Sequence, residues 1–155
     1  GYHILGLYQL GYQFYALLNI IPTSFYFYLL PKESSGESKR GMLTLALALL
    51  TTLSIATYVI SPYLVKTLFP TFTEAVPIVR VACLATIPSA AVATLNAKLL
   101  AKERSKIVVI GAVICITSLT ASLLTLGKIF GAIGLAYALL LAQTTQAIFL
   151  IINSR

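Results

Sequence analysis

The chain has 155 residues, 59% of them hydrophobic and only 10% charged, with a mean hydropathy of +0.94 and a net charge of +7. Soluble domains carry about 25% charged residues, so this composition excludes an ordinary soluble globule and points to a polytopic membrane protein. The cations lie in short loops between apolar runs, which is a topology pattern, so no nucleic acid is expected as a partner.

The first apolar segment runs over residues 4–30 and carries no charge. Pro22 removes a helix hydrogen bond and clashes with the preceding turn, so a kink is expected between Leu18 and Pro22. Tyr8, Tyr12, Tyr15 and Asn19 fall at helical spacing on one face, and Tyr26 continues it if the kink is mild. Two readings stand: interfacial tyrosines that pack helices, or a polar wall facing a cavity. Pro31 to Gly41, with Lys32, Glu33, Gly36, Glu37, Lys39 and Arg40, reads as a polar loop between helices.

A second segment spans 42–65, its end marked by Pro62 and Lys66, with a turn from Thr67 to Ala75. Thr44, Ala48, Thr52 and Ala56 recur every four residues, a small-residue ridge that lets helices approach closely. The third spans 76–98. Its seventeen residues Val81 to Ala97 are uncharged, and with the flanking turns they reach the ~20 residues a helix needs to cross hydrocarbon. Ala85, Ser89, Ala93, Ala97 and Ala101 form another ridge, so this helix is expected to be enclosed by neighbours. Pro88 is expected to bend it. Arg80 and Lys98, five turns apart, share a face if the bend does not rotate them.

The fourth segment, 107–126, is rich in Ser and Thr. Gly127, Lys128, Gly131 and Gly134 predict a tight turn into the fifth, 131–152, where Gly134, Ala138, Ala142 and Gln146 align at four. The result is an all-α membrane helix bundle of about five transmembrane helices, a single transmembrane domain over 1–155. Cys83 and Cys115 fall inside apolar segments without metal-ligand spacing and read as small buried hydrophobes. No signal peptide is visible, and the opening at Gly1 suggests a piece of a longer protein.

Charge orients the spans. Lys32, Lys39, Arg40, Lys98, Lys102, Arg104, Lys106 and Arg155 fall on one side; Lys66, Arg80 and Lys128 fall on the other. Cytoplasmic loops accumulate Lys and Arg, so a multi-pass cell-membrane protein is expected, N-terminus outside and C-terminus cytoplasmic.

Three stretches carry a resemblance. Residues 6–22, GLYQLGYQFYALLNIIP, resemble a helix start in polysaccharide biosynthesis proteins. Residues 60–85 resemble a second stretch of that family, matching at Pro62, Phe69, Phe72, Ala75 and Arg80, although Pro70 stands where it usually has Gly. Residues 127–143 resemble the start of a late helix, matching at Gly131, Gly134, Ala136 and Ala138. The family is the lipid-linked oligosaccharide flippases of the multidrug/oligosaccharidyl-lipid/polysaccharide exporter superfamily. The resemblance implies twelve to fourteen helices in two bundles around a central cavity. This chain then supplies part of the second bundle, and the missing N-terminal half supplies the first. The implied activity is alternating-access flipping of glycans linked to a polyprenyl (pyro)phosphate, for cell-surface glycan synthesis. Membrane lipid is the other partner.

An enzyme is not expected. One histidine, His3, no Asp and four Glu at loops or helix ends leave no catalytic dyad or metal cluster, and no cofactor is implied. The candidate substrate-binding residues are Arg80, Lys98, Asn19, Tyr12 and Tyr15. Arg80 either snorkels to the outer headgroups or meets the substrate's phosphate or an acidic sugar, since Arg forms bidentate bonds to phosphate. Lys98 offers a second, cytoplasmic-side station. Competing readings are a drug/cation antiporter of the same superfamily, which should carry an intramembrane carboxylate, and a non-transporting membrane subunit.

Overall fold

The structure, a computed structural model, describes residues 2–34 and 40–154, with side chains described except at 2–4, 25, 29–30, 32–34 and 40–46. The described residues are helical apart from short breaks at Phe69, Ala85 and 102–104 and the last described residue, and none of them is in a strand. The elements are α1 (Tyr2–Ser34), α2 (Arg40–Leu68), a 3-10 helix (Pro70–Ala75), α3 (Val76–Leu84), α4 (Thr86–Ala101) and α5 (Ser105–Asn153). Three stretches, Leu47–Leu68, Pro70–Ala101 and Ser105–Asn153, are long and apolar enough to cross a membrane.

α5 is not one rod. At Gly131 the backbone takes φ 60°, ψ −134°, a region open in practice only to glycine. There the helix folds back. A Cβ built on Gly111 would lie 3.1 Å from Leu150, and one on Gly127 would lie 3.0 Å from Leu135. Those pairs fix an antiparallel hairpin of two limbs, 105–130 and 132–153. Each is long enough for a crossing, at roughly 39 and 33 Å. The glycine-rich turn expected from Gly127 to Gly134 is therefore present as a reversal of the chain. Gly134 lies so close to the Leu126 carbonyl that any side chain there would strike it.

α3 and α4 form the central rod. α1, α2 and α5 all pack on it, whereas α2 and α5 do not touch among the described residues. Half of the most apolar eighteen-residue part of the Pro70–Ala101 stretch is buried; of its small-residue ridge Ala85 and Ala97 are fully covered, while Ser89, Ala93 and Ala101 are half-buried. The ridge Gly134, Ala138, Ala142 and Gln146 is likewise buried. The rod breaks at Ala85 because Pro88 offers no N–H to the Leu84 carbonyl and its ring crowds that carbonyl. A polar stitch holds the break. The Thr86 hydroxyl donates to the Cys83 carbonyl at 2.6 Å, so Ser54, 2.5 Å from Thr86 Oγ1, donates to Thr86.

Four expectations need correction. Pro62 does not end α2, which continues to Leu68. The Tyr58 carbonyl, deprived of its usual donor by Pro62, receives the Ser61 hydroxyl at 2.9 Å instead. The turn from Thr67 to Ala75 is helical on both sides of Phe69. The Pro31–Gly41 loop narrows, because α1 extends to Ser34 and α2 begins at Arg40; residues 35–39 lie outside the described residues. Finally, Ala48 and Thr52 of the α2 ridge are exposed rather than packed, while the Thr44 side chain lies outside the described residues. α1 runs through Pro22 as one helix.

The outer faces of α2 and α5 are apolar. Val59, Ile60, Tyr63, Val109, Val113, Ile116 and Leu124 are all largely exposed. Their hydroxyl-bearing neighbours Thr52, Thr57, Thr117, Thr120 and Thr125 donate back to carbonyls of their own helices. A water-facing helix shows charge on that side; an apolar face with internally satisfied hydroxyls suits hydrocarbon.

Candidate functional site: a polar cleft among three helices

Polar side chains from three helices converge inside this apolar shell. Thr23 and Tyr26 come from α1, Ser89, Ala93 and Asn96 from α4, and Gln143 and Gln146 from the second limb of α5. Their spacings of three, four and seven residues put each set on one helix face. They line an open cleft of about 290 Å³. The small side chains of Ser89 and Ala93 leave the space that larger residues would fill.

Two hydrogen bonds tie the walls together. Ser89 Oγ donates to Asn19 Oδ1 at 2.6 Å, joining α4 to α1. Gln143 Nε2 donates to the Tyr15 hydroxyl at 3.2 Å, joining α5 to α1. Such contacts are worth about 0.6 kcal/mol each in a membrane bundle, and up to roughly 1.7. Asn19 therefore finds the partner that its depth demands. Other polar atoms in the cleft do not. Asn96 Oδ1 is buried without a hydrogen-bond partner. Gln146, 6% exposed, has no hydrogen bond among the described residues.

Thr23 is also a wall of a second cleft, about 390 Å³, bordered by Tyr12, Tyr15, Asn19 and Phe27. The tyrosine face expected from the sequence is present: the rings of Tyr8 and Tyr12 are 6.3 Å apart, and those of Tyr12 and Tyr15 are 6.0 Å apart. Tyr15 is buried and Tyr12 is 44% exposed, so the face runs from the interior outward. Packing and polar wall are thus the same surface.

Of the five candidate residues, Tyr12, Tyr15 and Asn19 come together. Arg80 and Lys98 do not join them. Arg80 turns to α2, its guanidinium carbon 5.1 Å from the centre of the Tyr58 ring, and its Nε is buried with no hydrogen-bond partner. Lys98 is half-buried on α4, nine positions beyond Ser89, which is two and a half turns and hence the opposite face. The break at Ala85 separates the two cations in any case. Asn96, Gln143 and Gln146, which complete the cleft, were not singled out as site residues. The signal that found Asn19, an amide within an apolar run, was available for all three.

Among the described residues no group of three His, Cys, Asp or Glu side chains could hold a metal ion. Comparison with known proteins yields no relative: no family model, no curated protein and no solved structure matches the chain.

Proposed function

We propose that the chain is part of a membrane transporter that flips lipid-linked oligosaccharide or polysaccharide precursors by alternating access. The observation that carries this reading is the polar cleft, walled by amides, hydroxyls and tyrosines, inside a bundle whose outer faces are apolar. Polar groups in hydrocarbon are costly, and they concentrate where a pathway or ligand needs them. The resemblance in residues 6–22, 60–85 and 127–143 supplies the substrate class. In this reading the five segments are five spans of the second bundle of a two-bundle exporter, the N-terminus is outside, and the first bundle is the essential partner.

The anionic headgroup needs a cation, and Arg80 is offered for it. Its Nε–H has no acceptor, and Tyr58 covers only its face. In this reading the guanidinium leaves the Tyr58 ring to meet the phosphate, because its Nε–H is buried where it stands. Arg80 and the cleft lie on different sides of the central rod, so they serve different steps of the passage. The antiporter reading is weaker on this geometry, because among the described residues the cleft contains no carboxylate.

Complementation tests the proposal. Expressed with the first bundle, the chain restores glycan export to a flippase-deficient strain; expressed alone it does not, because a cavity between bundles needs both. Export by the chain alone, or no export by the pair, overturns it.

A further inference from the structure

We propose that the cleft between α1, α4 and α5 recognises an uncharged sugar ring, with Asn96 Oδ1 accepting a hydrogen bond from a sugar hydroxyl. This rests on the transporter reading and names which part of the substrate the cleft takes.

The first reason is an excess of unmet hydrogen bonding. A buried acceptor without a donor costs about 1–3 kcal/mol, and Asn96 Oδ1 is in that state. Gln146, a residue 6% exposed, adds a second amide on the α5 wall of the same cleft. Gln143 gives its N–H to Tyr15 and keeps an open carbonyl oxygen. The vacant positions are thus a mixture of amide acceptors and donors. A hydroxyl is the group that answers both, since it donates once and accepts twice.

The second reason is charge. Among the described residues, no Lys, Arg or Glu lines the cleft. Arg80 is held against Tyr58, and Lys98 faces the other way. A carboxylate sugar entering here loses its water and gains no counter-charge, which is strongly unfavourable. A polyol loses its water and regains hydrogen bonds. The cleft therefore discriminates against uronic and sialic acids.

The third reason is shape. About 290 Å³ is at the low end of ligand cavities, which run roughly 300–1,000 Å³, so it suits a single ring rather than a chain. Beyond Thr23 the second cleft presents Tyr12, Tyr15 and Phe27. These flat apolar faces suit the C–H faces of a neighbouring sugar, while the amides take hydroxyls.

The test uses the whole chain in nanodiscs of uncharged lipid, with side-chain amides labelled with nitrogen-15. Octyl glucoside and octyl glucuronide, each below its micelle concentration, are the probes. The glucoside should shift the Asn96 and Gln146 amide resonances saturably, and the glucuronide should need at least tenfold more. Asn96→Leu should weaken the glucoside at least tenfold without loss of fold, because it removes an acceptor that has no partner. Ala93→Leu should do the same by filling the cleft with every amide kept. Equal affinity for both probes, shifts that rise without saturating, or binding untouched by either variant overturns the inference. Saturable glucoside binding by a chain that does not support export sinks the transport reading alone. Glycan export with no glucoside binding in the cleft sinks this inference alone.

Discussion

Ser89 and Asn19 are seventy positions apart and share a 2.6 Å hydrogen bond. It joins the central rod to α1 at the lip of the cleft, where both side chains are half-buried. Because both walls of the cleft meet at this pair, its coupling reports how well the site is assembled. Asn19→Leu and Ser89→Ala should each lower stability, and the double variant should lose less than the sum. The difference should be about 0.6 kcal/mol, as for polar pairs in other membrane bundles. Unfolding by SDS in mixed micelles measures it. Strictly additive losses would show that the pair is adjacent but not coupled.

The hairpin of α5 depends on two glycines for two different reasons. Gly131 supplies a backbone conformation, with nothing within 4 Å of where its Cβ would be. Gly134 supplies space against the Leu126 carbonyl. Gly131→Ala should cost about 1–3 kcal/mol through strain. Gly134→Ala should be worse, because backbone cannot move aside as a side-chain tip can, and the limbs must separate. A cysteine pair at positions 111 and 150, in a Cys83→Ala, Cys115→Ala background, reports closure. It should cross-link in the parent, less in the Gly131 variant and least in the Gly134 variant. Equal cross-linking in all three would mean the turn does not set the hairpin.

Much of this fold was legible because its cues are local. Apolar run length located the long helices but not the 3-10 helix at Pro70–Ala75, Pro88 located the break in the rod, and the glycines from 127 to 134 located the reversal. The small-residue ridge of the rod was legible as burial at Ala85 and Ala97 only; Ser89 and Ala93 line the cleft instead. The same pattern misled in α2: whether a ridge is packed depends on a partner, and no sequence period reports that. Pro62 misled because its cost was offset from outside the usual ladder, by the hydroxyl of the residue before it. The site was half legible. Tyr12, Tyr15 and Asn19 declared themselves by sharing a face on one helix. Which residues they pair with was not legible, because Ser89 and Gln143 meet Asn19 and Tyr15 only through the packing of three helices. Arg80 drew attention as an intramembrane charge, yet its direction is set by Tyr58 on another helix.

The orientation carries its own test. The 3-10 stretch before α3 and the turn between α4 and α5 lie at opposite ends of the central rod, and Thr71 and Ser105 are both exposed. Lys98, Lys102, Arg104 and Lys106 cluster at the second end, which the positive-inside rule assigns to the cytoplasm. In whole cells, a membrane-impermeant thiol reagent should label Thr71→Cys and leave Ser105→Cys unmodified until the membrane is opened. The opposite pattern inverts the topology, and labelling at both from outside would show that the rod does not cross the bilayer.

Arg80 separates packing from function most sharply. Its stacking on Tyr58 is worth about 0.5–1 kcal/mol at an exposed site and roughly 2 when desolvated, so any substitution loosens the α2–α3 contact somewhat. Tyr58→Leu removes the same contact and leaves the charge, which makes it the control. If the Nε–H edge meets phosphate, Arg80→Ala should abolish export in the two-bundle protein, and Arg80→Lys should retain a minor part, keeping charge but losing the fork. Tyr58→Leu should insert as well as the parent and export at more than half its rate. Insertion is read by the Thr71→Cys label, so failure to fold is distinguishable from failure to transport. An Arg80→Ala protein that inserts normally and exports at the parent rate would leave Arg80 only its contact with Tyr58.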